Sequence, residues 1–129
     1  MPLFEKTGGG AVIALTFNAV ERVVPSYNSM AVAKAALETC VRYLAVDLGS
    51  ANVRVNAISA GPLKTLSASA VRGISQARDL MESKAPLRRN ITQEEVGNVA
   101  VFLASEWARA VTGATIFADN GFNIVGVSD

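Results

Sequence analysis

Tyr27 and Lys34 are the residues whose types and spacing could carry chemistry in this chain. Seven residues along an α-helix make about two turns, roughly 10 Å of rise, and bring two side chains to nearly the same face. A phenol has a pKa of about 10, so it is a poor acid at neutral pH. A nearby ammonium group favours the phenolate anion, so this pair could donate a proton or a hydrogen bond to an oxygen atom of a substrate. Taken alone, the spacing is weak evidence. A tyrosine and a lysine on one helix are more often a partly buried aromatic residue and a solvated charge.

The absence of histidine narrows the possible chemistry further. The 129 residues contain no histidine and one cysteine, Cys40. Ser-His-Asp and Cys-His catalysis are therefore excluded, together with an internal disulfide or a cysteine metal cluster, and we expect no metal site. Proton transfer must then rest on Tyr, Lys, Asp or Glu. We expect Cys40 to be a small core residue of a helix.

Charge and hydropathy exclude several classes of partner. The 12 basic and 11 acidic residues are scattered along the chain and give a net charge of +1. A nucleic-acid-binding protein would need a basic stripe, and a membrane-surface protein a basic patch. No apolar run reaches the roughly 18 to 20 residues that span a bilayer, and the N-terminus lacks the pattern of a secretory signal. We therefore expect no nucleic-acid or membrane partner and a cytoplasmic location.

The chain alternates between strand-like and helix-like segments. Short apolar runs predict strands over residues 11–17, 53–59 and 115–119, the first of them buried on both faces. Apolar residues at helical spacing predict a helix that starts at Ser26 or Tyr27 and ends near Leu48, with Ser26 as N-cap and Gly49 just after its end. The segment Thr92-Gln93-Glu94-Glu95 is a capping box that predicts a helix to about residue 105. Shorter helices are predicted over 66–72 and 75–83.

This order predicts an α/β fold built from parallel βαβ units. The three glycines at residues 8–10 precede the first strand, whereas a phosphate-binding loop follows a strand and opens a helix. A tight entry turn is therefore the better interpretation of these glycines.

Several segments together resemble one known family. The segment Ser26–Glu38, SYNSMAVAKAALE, resembles the catalytic helix of enoyl-acyl-carrier-protein reductases, in which six residues separate the tyrosine from the lysine. Commoner short-chain dehydrogenases separate them by three residues, and that position is Ala31 here. The resemblance continues in order through residues 54–66, 85–89 and 95–121, and so covers essentially the whole chain.

The resemblance implies a fold and an activity. The fold would be the C-terminal part of a Rossmann-like doubly wound parallel sheet, comprising its last three strands with flanking helices. Residues 1–129 would form the C-terminal half of a single domain whose N-terminal dinucleotide-binding half is absent. We therefore expect one half of a longer protein, a truncated reading frame or a misassigned start. The implied activity is NADH-dependent reduction of trans-2-enoyl-acyl-carrier-protein in fatty acid biosynthesis by a homotetramer. The residues that distinguish NADH from NADPH would lie in the absent half.

The resemblance also assigns roles to particular residues. Tyr27 would be catalytic, with its hydroxyl at the carbonyl oxygen of the enoyl thioester, and Lys34 would be catalytic while holding the nicotinamide ribose. Phe17 stands where many bacterial relatives have a second tyrosine, and it would either pack beside the substrate or end a core strand. Residues 66–83 would form the substrate-binding flap. The loop expected to bind the cofactor comprises Leu63, Lys64, Thr65, Leu66 and Ser67.

Two alternatives stay open at this point. The chain could belong to another short-chain reductase that has acquired the same spacing. It could instead be a non-catalytic remnant that acts as an oligomerisation module.

Overall fold

The computed structural model describes residues 1–65 and 73–126. The helices are α1 (Pro2–Thr7), α2 (Asn28–Gly49), α3 (Ile74–Lys84) and α4 (Gln93–Ala104), and the strands are β1 (Gly10–Thr16), β2 (Val53–Ala60) and β3 (Thr115–Ala118). Short 3-10 turns occupy Asn18–Val20, Glu106–Ala108 and Phe122–Ile124. The predicted helix over 75–83 is confirmed as α3, whereas the one over 66–72 lies outside the described residues. Helix α1, with Pro2 in its first turn, was not predicted.

The three strands form one parallel sheet in the order β1–β2–β3, which confirms the predicted α/β fold with parallel crossovers. Leu15 lies opposite Ile58, and Ala57 lies opposite Thr115. The prediction that the first strand is buried on both faces is wrong. Within the described residues β1 pairs with β2 alone, and Leu15 is 56% exposed.

The central strand β2 divides the core into two clusters. Val53, Val55 and Ala57 point to one face of the sheet, where they pack with Val41 and Ala45 of α2. Ile58 points to the opposite face because side chains alternate along a strand. There it belongs to a cluster whose buried members include Met81 of α3 and both Val96 and Leu103 of α4. Helices therefore pack on both faces of the central strand.

Helix α2 differs from its prediction at both ends. It begins at Asn28 with Tyr27 at the N-cap position, and Ser26 adopts a φ of 65° without capping the helix. Gly49 is the last helical residue rather than the one beyond it. The expectation of a buried Cys40 is also wrong, because this side chain is exposed. One face of α2 covers the sheet, and Cys40 lies outside that face.

The capping box of α4 is confirmed. The Thr92 hydroxyl accepts the backbone N–H of Glu95 at 3.2 Å, and the Glu95 carboxylate accepts the backbone N–H of Thr92 at 2.9 Å. The same carboxylate pairs with Arg89 at 2.7 Å. This exposed network fixes the loop that leads from α3 into α4.

Candidate active site

The end of β1 joins α2 through three consecutive positions. The backbone carbonyl of Leu15 accepts a hydrogen bond from the Lys34 ammonium at 2.8 Å. The ring of Phe17, the residue that follows the strand, meets the ring of Tyr27 edge-on at a centroid distance of 5.4 Å. Tyr27 and Lys34 therefore both contact residues at the carboxyl end of one strand, and Tyr27 does so from the N-cap position of α2. In open α/β sheets this is the edge where ligands bind.

Between these two contacts lies a buried polar pair. The hydroxyl of Thr16 donates to the carboxylate of Glu38 at 2.7 Å, and the two residues are 5% and 8% exposed. Sequence reasoning missed this pair, although the sequence carried a signal for it. Glu38 precedes Val41 and Ala45 at helical spacing, so it falls on the apolar face of α2 where a carboxylate needs a partner.

A cavity of about 500 Å³ opens beside this end of the sheet. Phe17 lines it, together with Gly61 and Pro62 after β2 and with Leu80 and Met81 of α3. Most of its lining is apolar, and its volume is in the range of small-ligand sites, roughly 300 to 1,000 Å³. Phe17 therefore lines the cavity and also packs against Tyr27.

The far wall of the cavity depends on a buried carboxylate that sequence reasoning also missed. Asp119 is 4% exposed and accepts the backbone N–H groups of Gly121 at 3.0 Å and Asn123 at 2.8 Å. Burial raises the pKa of Asp119 above its ordinary value, and the backbone hydrogen bonds lower it by a smaller amount. Arg22 donates to the carbonyl of Asn123 at 3.1 Å and links this wall to the loop before α2. The sequence showed only that residues 119–121 end a strand.

Only the first residues of the loop after β2 lie at the cavity. Gly61 and Pro62 line the cavity, whereas Leu63 packs against the cluster around Ile58. Lys64 is exposed, and its backbone carbonyl accepts the Gln93 side chain at 3.1 Å. Thr65 is half-buried. Leu66 and Ser67 lie outside the described residues.

Comparison with known proteins places this geometry in one family. The family model described as enoyl-(acyl carrier protein) reductase matches residues 1–123. The chain belongs to this family. The NADH-type enoyl-[acyl-carrier-protein] reductase FabI of Rickettsia typhi is 54% identical over 120 residues, which are 93% of this chain and 46% of the relative. The FabI of Bacillus cereus is 55% identical over 120 residues, which are 93% of this chain and 47% of the relative.

Solved structures of the family agree with the fold. The enoyl-acyl-carrier-protein reductase of Anaplasma phagocytophilum, solved in complex with NAD, superposes with a TM-score of 0.91 at 44% identity, over 99% of this chain and 48% of that one. The Bacillus cereus enzyme, solved with NADP+ and an indole naphthyridinone, gives a TM-score of 0.91 at 54% identity, over 95% of this chain and 49% of that one. The chain therefore spans about half the length of the reductases it matches.

Proposed function

We propose that these residues form the substrate-side half of an enzyme that reduces trans-2-enoyl-acyl-carrier-protein with NADH in fatty acid biosynthesis. Membership of the enoyl reductase family supports the reaction class. The observation that carries the proposal is the contact of Tyr27 and Lys34 with the same strand end, beside an apolar cavity. That arrangement suits a substrate with an apolar acyl chain and a reactive thioester.

The donors of Lys34 fit a nicotinamide ribose. A lysine ammonium has three N–H donors, and the carbonyl of Leu15 accepts one of them. Among the described residues no second hydrogen bond of this ammonium is seen, so two donors are available for the paired hydroxyls of a ribose. The carbonyl of Leu15 also fixes where those donors point. Residues Leu63, Lys64, Thr65, Leu66 and Ser67 complete the proposed cofactor loop.

Tyr27 would act on the oxygen of the enoyl thioester. Bound NADH supplies the hydride that adds to the β-carbon of the substrate. Negative charge then develops on the thioester oxygen, and the Tyr27 hydroxyl donates a hydrogen bond to it. A donor fixed in advance at that position stabilises the transition state by several kcal/mol. The edge contact with Phe17 would hold the phenol ring in place, and the Phe17 side that faces the cavity would pack beside the acyl chain.

A chimera tests these roles. Residues 1–129 would replace the corresponding half of the Bacillus cereus relative, which is 55% identical over 120 residues. We expect the chimera to reduce a crotonyl thioester with NADH. Tyr27→Phe should then lower kcat by roughly tenfold to thousandfold and leave the Kd of NADH nearly unchanged, because this contact strengthens in the transition state. Lys34→Ala should first raise the Kd of NADH, because it removes a contact to the cofactor.

Matched controls separate these roles from general damage. Tyr43→Phe removes only the hydroxyl of the second of the two tyrosines, which lies on the same helix, and it keeps the apolar ring, so it should change neither constant. Phe17→Tyr should be mild, because it keeps the ring. An inactive chimera would contradict the proposed reaction. Full activity in Tyr27→Phe, with an unchanged NADH Kd in Lys34→Ala, would contradict the site assignment.

We also propose that the enzyme is a homo-oligomer, and the resemblance to the family implies a tetramer. Val32, Tyr43 and Val46 lie along one face of α2 and are 71%, 70% and 81% exposed. Large apolar side chains aligned on an exposed helix face are typical of an interaction surface. Light scattering of the chimera should report a smaller particle for Val46→Glu but not for Leu3→Glu, a control on α1 that is 76% exposed. Equal masses for all three proteins would contradict the role of this face.

The proposed location is the cytoplasm. In residues 1–65 and 73–126, no helix is long and apolar enough to cross a membrane. Fractionation of cells that express the chain tests the location directly, and recovery with the membrane fraction would contradict it.

A further inference from the structure

The proposed reaction makes no use of Thr16 and Glu38, although they form a buried polar pair at the centre of the candidate site. Their hydrogen bond of 2.7 Å joins β1 to α2 across 22 residues of sequence. A carboxylate that is 8% exposed is costly to bury unless its hydrogen-bond partner is retained. Apolar side chains could fill the same space without that cost.

The position of the pair suggests why a polar contact is used. Leu15, Thr16 and Phe17 are consecutive, and they contact Lys34, Glu38 and Tyr27 respectively. The two outer contacts are adaptable: a lysine side chain is long and flexible, and an edge-on ring contact tolerates sliding. A hydrogen bond between two buried groups has a narrow range of length and angle. Breaking it leaves a buried acceptor without a partner, which penalises any other register.

We propose that Thr16 and Glu38 are positioning residues that fix the register between the end of β1 and α2, and thereby place Tyr27 and Lys34 for the reaction. The inference rests on the proposed function for its kinetic consequence. Its structural part, the placement of Tyr27 by the Thr16–Glu38 contact, can be measured without any turnover.

Four variants separate positioning from stability. Thr16→Val keeps the shape of the side chain but leaves Glu38 without its donor, and Thr16→Ser keeps the donor. The double variant Thr16→Val/Glu38→Leu replaces both partners by apolar groups, a change that can be nearly neutral for stability. It therefore provides a folded protein even if Thr16→Val alone unfolds. Thr112→Val is the matched control, because the Thr112 hydroxyl accepts the backbone N–H of Val55 on β2 at 3.0 Å and makes no contact between the end of β1 and α2.

The first readout is the NMR spectrum of the chain with labelled tyrosine rings. The chain has two tyrosines, so Tyr27 reports on the site and the exposed Tyr43 serves as an internal reference. We expect the Tyr27 ring signals to move towards those of a free tyrosine in the double variant and in any folded Thr16→Val protein. They should stay in place in Thr16→Ser and in Thr112→Val, and the Tyr43 signals should be constant throughout.

The second readout is the kinetics of the chimera at a temperature where every variant is folded. A displacement of about 1 Å at a reacting group can cost roughly a hundredfold in rate, so we expect kcat to fall towards that extent in the double variant. The Kd of NADH should rise together with the fall in kcat, whereas Thr16→Ser and Thr112→Val should retain both constants.

The outcomes distinguish this inference from the proposed function. A double variant with unchanged Tyr27 signals would overturn the inference, even in an active enzyme. So would a double variant that keeps both kcat and the Kd of NADH. If the unmutated chimera does not reduce enoyl thioesters, the proposed function fails, and the NMR spectra still decide whether Thr16 and Glu38 place Tyr27.

Discussion

The contact between Gly61 and Met81 under the cavity allows a quantitative test of the packing. A Cβ atom on Gly61 would overlap the Met81 methyl carbon, and it would lie 3.1 Å from the Met81 sulfur and 3.2 Å from a methyl carbon of Ile91. The Gly61 backbone cannot easily retreat, because its N–H donates to the carbonyl of Ala118 at 2.9 Å. Met81 must therefore move. Overpacking costs about 1 to 3 kcal/mol, and a flexible methionine end favours the low end, about 1 kcal/mol for Gly61→Ala.

Gly61→Ala should stabilise the chain, rather than destabilise it, when Met81 has been replaced by alanine. Met81 is fully buried, so Met81→Ala alone should cost about 2 to 5 kcal/mol. In that background the new methyl group at position 61 enters the vacated space, and its close contact with Ile91 at 3.2 Å limits the gain to about 0.5 kcal/mol of the roughly 0.8 kcal/mol of a buried CH₂. The two substitutions should therefore couple by about 1.5 kcal/mol, within the range for residues in contact.

Urea unfolding of the four proteins measures this coupling. Gly97→Ala is the matched control, because Gly97 lies within α4 and a Cβ there would meet nothing within 4 Å. It should stabilise the chain by about 0.5 to 1 kcal/mol, the usual gain for alanine over glycine in a helix. If the two effects at positions 61 and 81 add within about 0.5 kcal/mol, these residues do not meet as the structure describes.

Three further predictions follow from other parts of the molecule. Glu95 has a pKa lowered to about 2, mainly by its hydrogen bond from Arg89. The contribution of the Glu95 carboxylate to the free energy of unfolding should be fully present above its ordinary pKa of 4.5 and should be lost as the pH falls to about 2. In urea unfolding, Glu95→Gln should therefore be less stable than the parent at neutral pH and equally stable near pH 2. Gly121 has a φ of 82°, and a Cβ would lie 2.8 Å from Pro86, so Gly121→Ala should cost at least about 1 to 2 kcal/mol by the same assay. The chain alone should bind NADH at least about a hundredfold more weakly than the chimera, because the chimera adds the dinucleotide-binding half, whose hydrogen bonds to the charged phosphates are each worth about 1.5 to 3 kcal/mol; titration calorimetry checks this.

Local rules made much of the architecture readable from the sequence. Among residues 1–65 and 73–126, apolar runs predicted the three strands and helical spacing predicted α2, because burial of one face imposes a period of two or 3.6 residues. The capping box of α4 was readable because both partners, Thr92 and Glu95, lie within one turn. The seven-residue spacing of Tyr27 and Lys34 could likewise be read as about two helical turns, although Tyr27 is the N-cap residue of α2 rather than part of the helix.

Other features were decided only by the tertiary structure. The exposure of Leu15 and Cys40 depends on which neighbours cover a strand or a helix face, and no local pattern records that. The pairing of Thr16 with Glu38 depends on the register of β1 against α2. The sequence by itself determined which residues could do chemistry and on which elements they lie. The packing of α2 on the sheet decided that Tyr27 and Lys34 meet one strand end, because the contacts that hold them there join residues far apart along the chain.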